Sequence, residues 1–377
     1  MFKLPPLSLY IHFPWCLQRC PYCDFNVHLA KDDIPSIEYV NHLLADLDND
    51  LSFTSGREIS TIFIGGGTPS LLSVKSMHRL MNGIRMRLPL AVNAEVTMEA
   101  NPGTMAPDRL SSYQSAGINR ISIGVQSFNK DHLKTLGCMH SPEDSIRALL
   151  LAQGRGLRSF NLDLMYGLLN QSLEEAIEDL RQAIELNNPP HLSWYQLTIE
   201  ANTLLASRPP QLPNEDTIWN ILQNGDALLS AAGYQQYEIS AYAKSGYQCD
   251  HNLNYWRFGD YLGIGCGSHG KITFENSYIL RTVKTRHPRG YMQGRYLHKQ
   301  DPVDSNNRPF EFFMNRFRLL EPMPRLEFQL YTGLGEEVIR EQIDHAIAYN
   351  YIIETDESWQ ITKHGKFFFN SLLELFL

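Results

Sequence analysis

The chain of 377 residues carries 33 basic and 41 acidic side chains, a formal charge of −8, with 43% hydrophobic and 20% charged residues. That composition excludes wholesale disorder, and the acidic balance argues against a nucleic-acid partner gripped through bulk charge, which needs clustered Lys and Arg. No apolar run reaches the roughly 20 residues of a membrane span, and the opening segment shows neither a clean apolar core nor a small-residue cleavage site, so a cytoplasmic protein is expected.

In chain order, strand patterns fall at Leu7–Phe13, Thr61–Ile64, Ala94–Glu99, Arg120–Gln126, Ser159–Leu164 and Leu192–Thr198. They are short and rich in Ile, Leu, Val and aromatics, as buried parallel strands are. Helical spacing of apolar residues lies between them, at Ile37–Leu51, Lys75–Leu88, Asp144–Gln153 and Leu173–Leu186, the last opening on Ser172 and Glu175 in the pattern of a capping box. Six strand–helix units in a row predict an α/β fold with a parallel sheet, open or curled into a partial barrel. After a helix expected at Asp216–Ala231 the alternation is lost, and residues 234–300 read as loop-rich and aromatic. From Phe310 the pattern is helical again and ends in a strand–turn–strand around Tyr351–Thr362 and an apolar last helix, which resembles a winged-helix module. Residues 310–377 hold six basic against eleven acidic side chains, so a packing or partner-facing module is expected there rather than a DNA reader. The expected division is 1–240, 241–309 and 310–377.

Three of the six cysteines, Cys16, Cys20 and Cys23, form a C-x3-C-x2-C run directly after the first strand. Zinc sites usually pair such a cluster with a second one, and no partner pair stands downstream at that spacing. Three close thiolates suit three irons of a cubane iron–sulfur cluster, and a trio leaves one iron open to a small molecule. Free thiols, or a zinc site completed from elsewhere, are the other readings of the run alone. Gly65-Gly66-Gly67-Thr68-Pro69 follows the second strand, where glycines let backbone approach a ligand closely. Glu99 ends the third strand, Gln126 the fourth, and Asp163 lies in the fifth. Unpaired polar groups in buried strands cost about 1–3 kcal/mol each, so their recurrence predicts convergence on a common site at the carboxyl face of the sheet.

The cysteine run after the first strand of an α/β barrel resembles the radical S-adenosylmethionine (SAM) superfamily. Nearly the whole chain is similar to its oxygen-independent coproporphyrinogen oxidase-like branch, most of all to the haem chaperones of that branch. The resemblance implies a partial (β/α)6 TIM-like radical SAM barrel with a C-terminal α+β winged-helix-like domain. It implies a [4Fe-4S] cluster on Cys16, Cys20 and Cys23, with SAM on the open iron, where the superfamily cleaves it to a 5′-deoxyadenosyl radical. It further implies SAM contacts from Tyr10, Tyr22, Gly66, Gly67, Thr68, Glu99, Gln126 and Asp163. His251-Asn-Leu-Asn-Tyr255-Trp256 resembles a haem-binding motif, which implies His251 as the iron ligand for a haem cargo, with Cys249 and His269 ranked behind it. Arg281, Lys284, Arg286, His287, Arg289 and Arg295 form the one basic run, expected to meet the haem propionates.

Two departures stand out. Cys138 occupies the position, twelve residues after Gln126, where the family commonly has an Arg that reaches the cofactor. Phe25 stands where the oxidases carry a further cysteine, and only fifteen residues precede Cys16; both are features of the chaperones. The implied function is that of a haem chaperone serving a haem-dependent membrane or respiratory protein, with membrane association through that partner and a homodimer as further expectations. The alternative is a radical SAM oxidase acting on coproporphyrinogen III or another porphyrinogen, and a third reading is an iron–sulfur module without catalysis.

Overall fold

The computed structural model describes residues 4–30, 33–154 and 156–377, so Met1–Lys3 of the opening segment lie outside it. Six strands, β1 (Leu7–Phe13), β2 (Ile59–Gly66), β3 (Leu90–Ala100), β4 (Arg120–Gln126), β5 (Ser159–Tyr166) and β6 (His191–Gln196), lie side by side in chain order and all run parallel. Between them come α1 (Ser36–Asp50), α2 (Val74–Arg85), α3 (Pro107–Ala116), α4 (Pro142–Gln153) and α5 (Leu173–Asn187). This is the α/β partial (β/α)6 barrel that the sequence predicts. Capping boxes start α4, from Ser141 and Asp144, and α5, from Ser172 and Glu175 as expected.

The strands share one rule of orientation. Leu7, Leu9, Ile11 and Phe13 of β1, Ile62 and Ile64 of β2, Val96 and Met98 of β3, Ile121 and Ile123 of β4, and Leu162 and Leu164 of β5 belong to the main hydrophobic core under the helices. The alternate positions face inward and are mostly polar. Ser8 and Thr61 share a hydrogen bond of 2.7 Å, Asn161 donates to Ser122 at 2.7 Å, and His191 pairs with Asn161 at 2.6 Å. Period-two geometry thus separates a dry outer face from a polar lumen.

The loop-rich expectation for residues 234–300 is corrected by the structure. After α6 (Glu215–Ala231), β7 (Gln235–Gln236) and β8 (Ala241–Ala243) extend the sheet antiparallel beyond β6, and the helix α7 (Asp250–Trp256) follows. Then β9 (Asp260–Ile264) pairs parallel with the free side of β1, and β10 (His269–Thr273), β11 (Ile279–Lys284) and β12 (Leu297–Pro302) continue antiparallel, giving twelve strands in one sheet. Glycine masks β9 and β10 in the sequence, because it lacks the side chain that gives a strand its pattern. At Gly263 a β-carbon would stand 1.8 Å from the His269 carbonyl oxygen, so only glycine lets β9 and β10 approach. Gly263→Ala is therefore expected to lower unfolding stability by about 1–3 kcal/mol or more, read as a reduced denaturation midpoint; an unchanged midpoint would contradict this packing.

Residues beyond 302 build a second core of Phe312, Phe313, Phe328 and Trp359. It is formed by α8 (Arg308–Arg316), α9 (Arg325–Thr332) and α10 (Arg340–Ala348) with a three-stranded sheet of Met323–Pro324, Ile352–Glu354 and Ser358–Ile361, the winged-helix-like arrangement expected. No helix among the described residues is long and apolar enough to cross a membrane.

Candidate cofactor site

The carboxyl ends of the strands open on a cavity of about 740 Å³. Cys16, Cys20 and Cys23 line it from the loop after β1, with Tyr22 beside them. The root of this loop is fixed by backbone bonds: Ala30 N–H donates to Cys16 O at 3.0 Å and Cys23 N–H to Cys20 O at 3.1 Å. Gly66, Gly67 and Thr68, also in the wall, lock the end of β2 onto the same root, with Gly67 N–H donating to Phe13 O at 2.7 Å and Thr68 N–H to Trp15 O at 2.8 Å. A β-carbon on Gly67 would lie 2.5 Å from the Trp15 carbonyl oxygen, so this glycine is demanded by the joint between the two loops as well as by any ligand.

All six cysteines are free thiols. Among the described residues no three Cys, His, Asp or Glu side chains gather around one ion position; a cubane asks instead for thiolates distributed over separate irons. Three soft donors on one anchored loop facing a cavity fit that demand. Burial pushes the Cys16 thiol up to about 11 and raises Cys23, whereas a hydrogen bond with the neighbouring Cys138 thiol lowers Cys20 to about 7. Cys138 therefore sits against the cysteine loop and lines the cavity, where it brings no positive charge.

Glu99, Gln126 and Asp163 converge on the same cavity. Burial pushes the Glu99 carboxyl up to about 8, the Asp163 carboxyl adds to the rise, and the Gly66 N–H donating at 3.0 Å opposes it. Asp163 is raised by burial too, against hydrogen bonds from Ser122 at 3.0 Å and Asn161 at 2.9 Å. The Tyr195 hydroxyl donates to Gln126 Oε1 at 2.8 Å, and Gln126 turns the chain at a φ of 66°. Ser122, Asn161 and Tyr195 are supporting residues that the sequence reading missed, although their place in the alternation marks them as inward-facing. Two buried carboxyls that repel each other favour a positively charged ligand, and the sulfonium of SAM is one.

The other candidates lie elsewhere. Tyr10 lines a second chamber of about 580 Å³ that shares Phe25, Gly66 and Glu99 with the first, and its hydroxyl bonds His12 Nδ1 at 3.0 Å. His251 stands at the opposite, amino-terminal end of the lumen and lines neither space. Its Nδ1 pairs with Thr61 Oγ1 at 2.7 Å, its ring stacks on Phe63 at 5.2 Å and meets the Tyr255 edge at 4.7 Å, and its Nε2 finds no partner among the described residues. Burial, aided by Arg120, lowers the imidazole to about 3. Cys249 is buried and donates to Glu95 at 3.5 Å, whereas His269 is exposed and lines the second chamber.

The basic run does not form one surface, contrary to expectation. Lys284 is buried between Asp46 at 2.6 Å and Asp50 at 2.7 Å, which leaves no charge for a propionate. Arg281 is held by Glu311 at 2.5 Å and Tyr261 at 2.9 Å, and His287 caps the turn that follows it. Only Arg281 and Lys284 lie on β11, and of the run Arg281 and Arg286 line the second chamber.

A sequence profile of the radical SAM superfamily matches residues 10–183, and one of the HemN C-terminal domain matches residues 303–368. The heme chaperone HemW of Escherichia coli is 68% identical over 377 residues, covering 100% of both chains. The heme chaperone HemW of Haemophilus influenzae is 59% identical over 381 residues, covering 100% of this chain and 99% of its own. The solved structure of the coproporphyrinogen III oxidase HemN from E. coli superposes with a TM-score of 0.84 at 23% identity, over 99% of this chain and 90% of that one, which shows the shared fold. With full-length identity of this order to HemW proteins and matched profiles over barrel and C-terminal module, the chain belongs to the radical SAM superfamily and, within it, to the HemW family.

Proposed function

We propose that this chain is a haem chaperone: it binds haem and passes it to a haem-dependent acceptor protein, on a radical SAM scaffold. The observation that carries this reading is the 68% identity along the full length to a heme chaperone HemW. The acceptor on this reading is a membrane or respiratory protein met from the cytoplasm, by a single chain or a homodimer.

Cys16, Cys20 and Cys23 hold the [4Fe-4S] cluster, which when bound supplies an electron and an open iron position. Gly66, Gly67 and Thr68 present backbone to SAM, Glu99 and Asp163 receive its positive charge, Gln126 offers an amide fixed by Tyr195, and Tyr22 walls the cavity. Tyr10 reaches SAM only from the side of the second chamber. His251 retains the haem iron. Its imidazole stays neutral across the physiological range, as an iron ligand must, and Nε2 is the ring nitrogen left without a partner. To reach it, Tyr255 has to turn out of its edge contact.

Titrating the anaerobically reconstituted protein with haem is expected to give Soret growth that saturates near a single equivalent, followed by transfer to an apo-haem protein. His251→Ala is expected to release haem about tenfold faster, a loss of about 1.4 kcal/mol. Absence of saturable binding would overturn the chaperone reading, and decarboxylated product from coproporphyrinogen III would move the chain to the oxidase reading.

A further inference from the structure

The two neighbouring spaces differ in chemistry. The cysteine cavity is faced by Asp163, while Glu99 lies in the wall of both spaces. The second chamber is walled by the flat rings of Tyr10, Tyr255, Trp256 and Tyr261. Its cations are not equivalent: Lys271 is bound to Asp260 at 2.9 Å and Arg281 to Glu311, but the exposed Arg286 makes no ion pair among the described residues. His269 stands at the same chamber with an exposed ring, whose protonation is disfavoured by burial first and then by Arg281 and Arg286. Aromatic walls, an accessible neutral imidazole and an uncommitted guanidinium are what a planar, carboxylate-bearing metalloporphyrin recognises. His251 cannot make the first contact, because Phe63 and Tyr255 cover it.

We propose that haem is captured in this second chamber, with His269 as the first ligand to its iron and Arg286 on a propionate, before His251 is reached. The proposal rests on the haem-chaperone reading. Capture is a ligand exchange: a lone pair of the His269 imidazole forms the new bond to iron, a water or hydroxide leaves, and no electron changes hands.

Stopped-flow mixing of haem with the cluster-loaded protein tests it. His269→Ala is expected to slow haem capture about tenfold and to remove the early histidine-ligated spectrum, while leaving the binding of iron-free protoporphyrin IX unchanged. Arg286→Glu, on an exposed side chain, is expected to slow haem and the iron-free porphyrin alike. His251→Ala is expected to alter release rather than capture. Wild-type capture rates and early spectra in His269→Ala, or wild-type capture in Arg286→Glu, would overturn the proposal. Failure of the unaltered protein to bind haem at all would instead overturn the chaperone reading on which it rests.

Discussion

Replacing Cys16, Cys20 or Cys23 by Ser is expected to leave the anaerobically reconstituted protein colourless, with iron falling from about four atoms per chain to background. The sulfurs add long contacts to the chain, Cys16 Sγ to His28 O and Cys20 Sγ to Gly137 O at 3.9 Å each. Backbone hydrogen bonds at Ala30–Cys16 and Cys23–Cys20, and the bonds from Gly67 and Thr68 to the root of the loop, hold the segment in place. A serine therefore keeps the loop and removes a soft donor that iron–sulfur chemistry requires. Cys266→Ser is the matched control. Its thiol is buried in the core beside Tyr39, whose hydroxyl accepts from the Cys266 N–H at 3.0 Å, and it does not line the cavity. Cys249→Ser, at the far end of the lumen against Glu95, is expected to keep the colour as well. Iron and sulfide content, the visible spectrum and far-ultraviolet circular dichroism together decide the matter. A variant of the trio that retains the cluster would remove the central assignment, and loss of colour in Cys266→Ser with an intact fold would mean that the ligand set is wider than the run.

The barrel was legible in the sequence because each of its strands carries its own local signal. Apolar residues recur at every second position of β1, β4 and β5, and some of the residues between them, Ser122, Gln126 and Asp163, line the cavity. The reading of Glu99, Gln126 and Asp163 as convergent came from the polar ends of strands, and the structure places all three at one cavity. Ser122 and Asn161 obey the same alternation but are held back from notice, since a small polar residue inside a strand looks like tolerated noise until its partner is known, and Tyr195 passes for one of the aromatics that strands favour. Beyond residue 234 local signal fails for a different reason. The strand β9 is defined by long-range pairing to β1, β10 by pairing to β9, and both by glycines that permit close backbone approach, and none of these leaves a hydrophobic period. Lys284 illustrates the limit for charge: in the sequence it sits among arginines, but its Asp46 and Asp50 partners lie more than two hundred residues away on α1. His251 is legible as a motif and not as a place, because only the fold shows that Thr61, Phe63 and Tyr255 enclose it.

Glu99→Gln is expected to weaken SAM binding and, in the same protein without SAM, to strengthen the fold as the pH rises. Glu99 is faced by the Asp163 carboxyl, the Gly66 N–H, and the hydroxyls of Tyr10 and Tyr195. Its carboxyl titrates near 8 rather than 4.5, so at neutral pH the empty site holds mostly the protonated form. A cationic ligand is drawn by the ionised form, and its affinity should climb as pH rises towards about 8 and then level off. The Gln variant lacks that climb, and comparing the two cancels any titration of SAM itself. Loss of one charged contact corresponds to about 1.5–3 kcal/mol, roughly ten- to a hundredfold in affinity above pH 8. Stability moves the other way. Between 4.5 and about 8 the folded protein holds a proton on Glu99 that the unfolded chain has released, so the wild type loses stability as pH rises through that window. The slope is at most about 1.4 kcal/mol per pH unit. Gln carries no such cost, and the gap in thermal midpoint between variant and wild type should widen from pH 5 to 8 and stay constant above. A gap that does not change with pH would show that Glu99 is ionised in the empty site, and unchanged SAM affinity would remove it from the binding set. Both results as expected would mean that the site stores unfavourable charge which its ligand relieves, a stability cost of the kind binding sites carry.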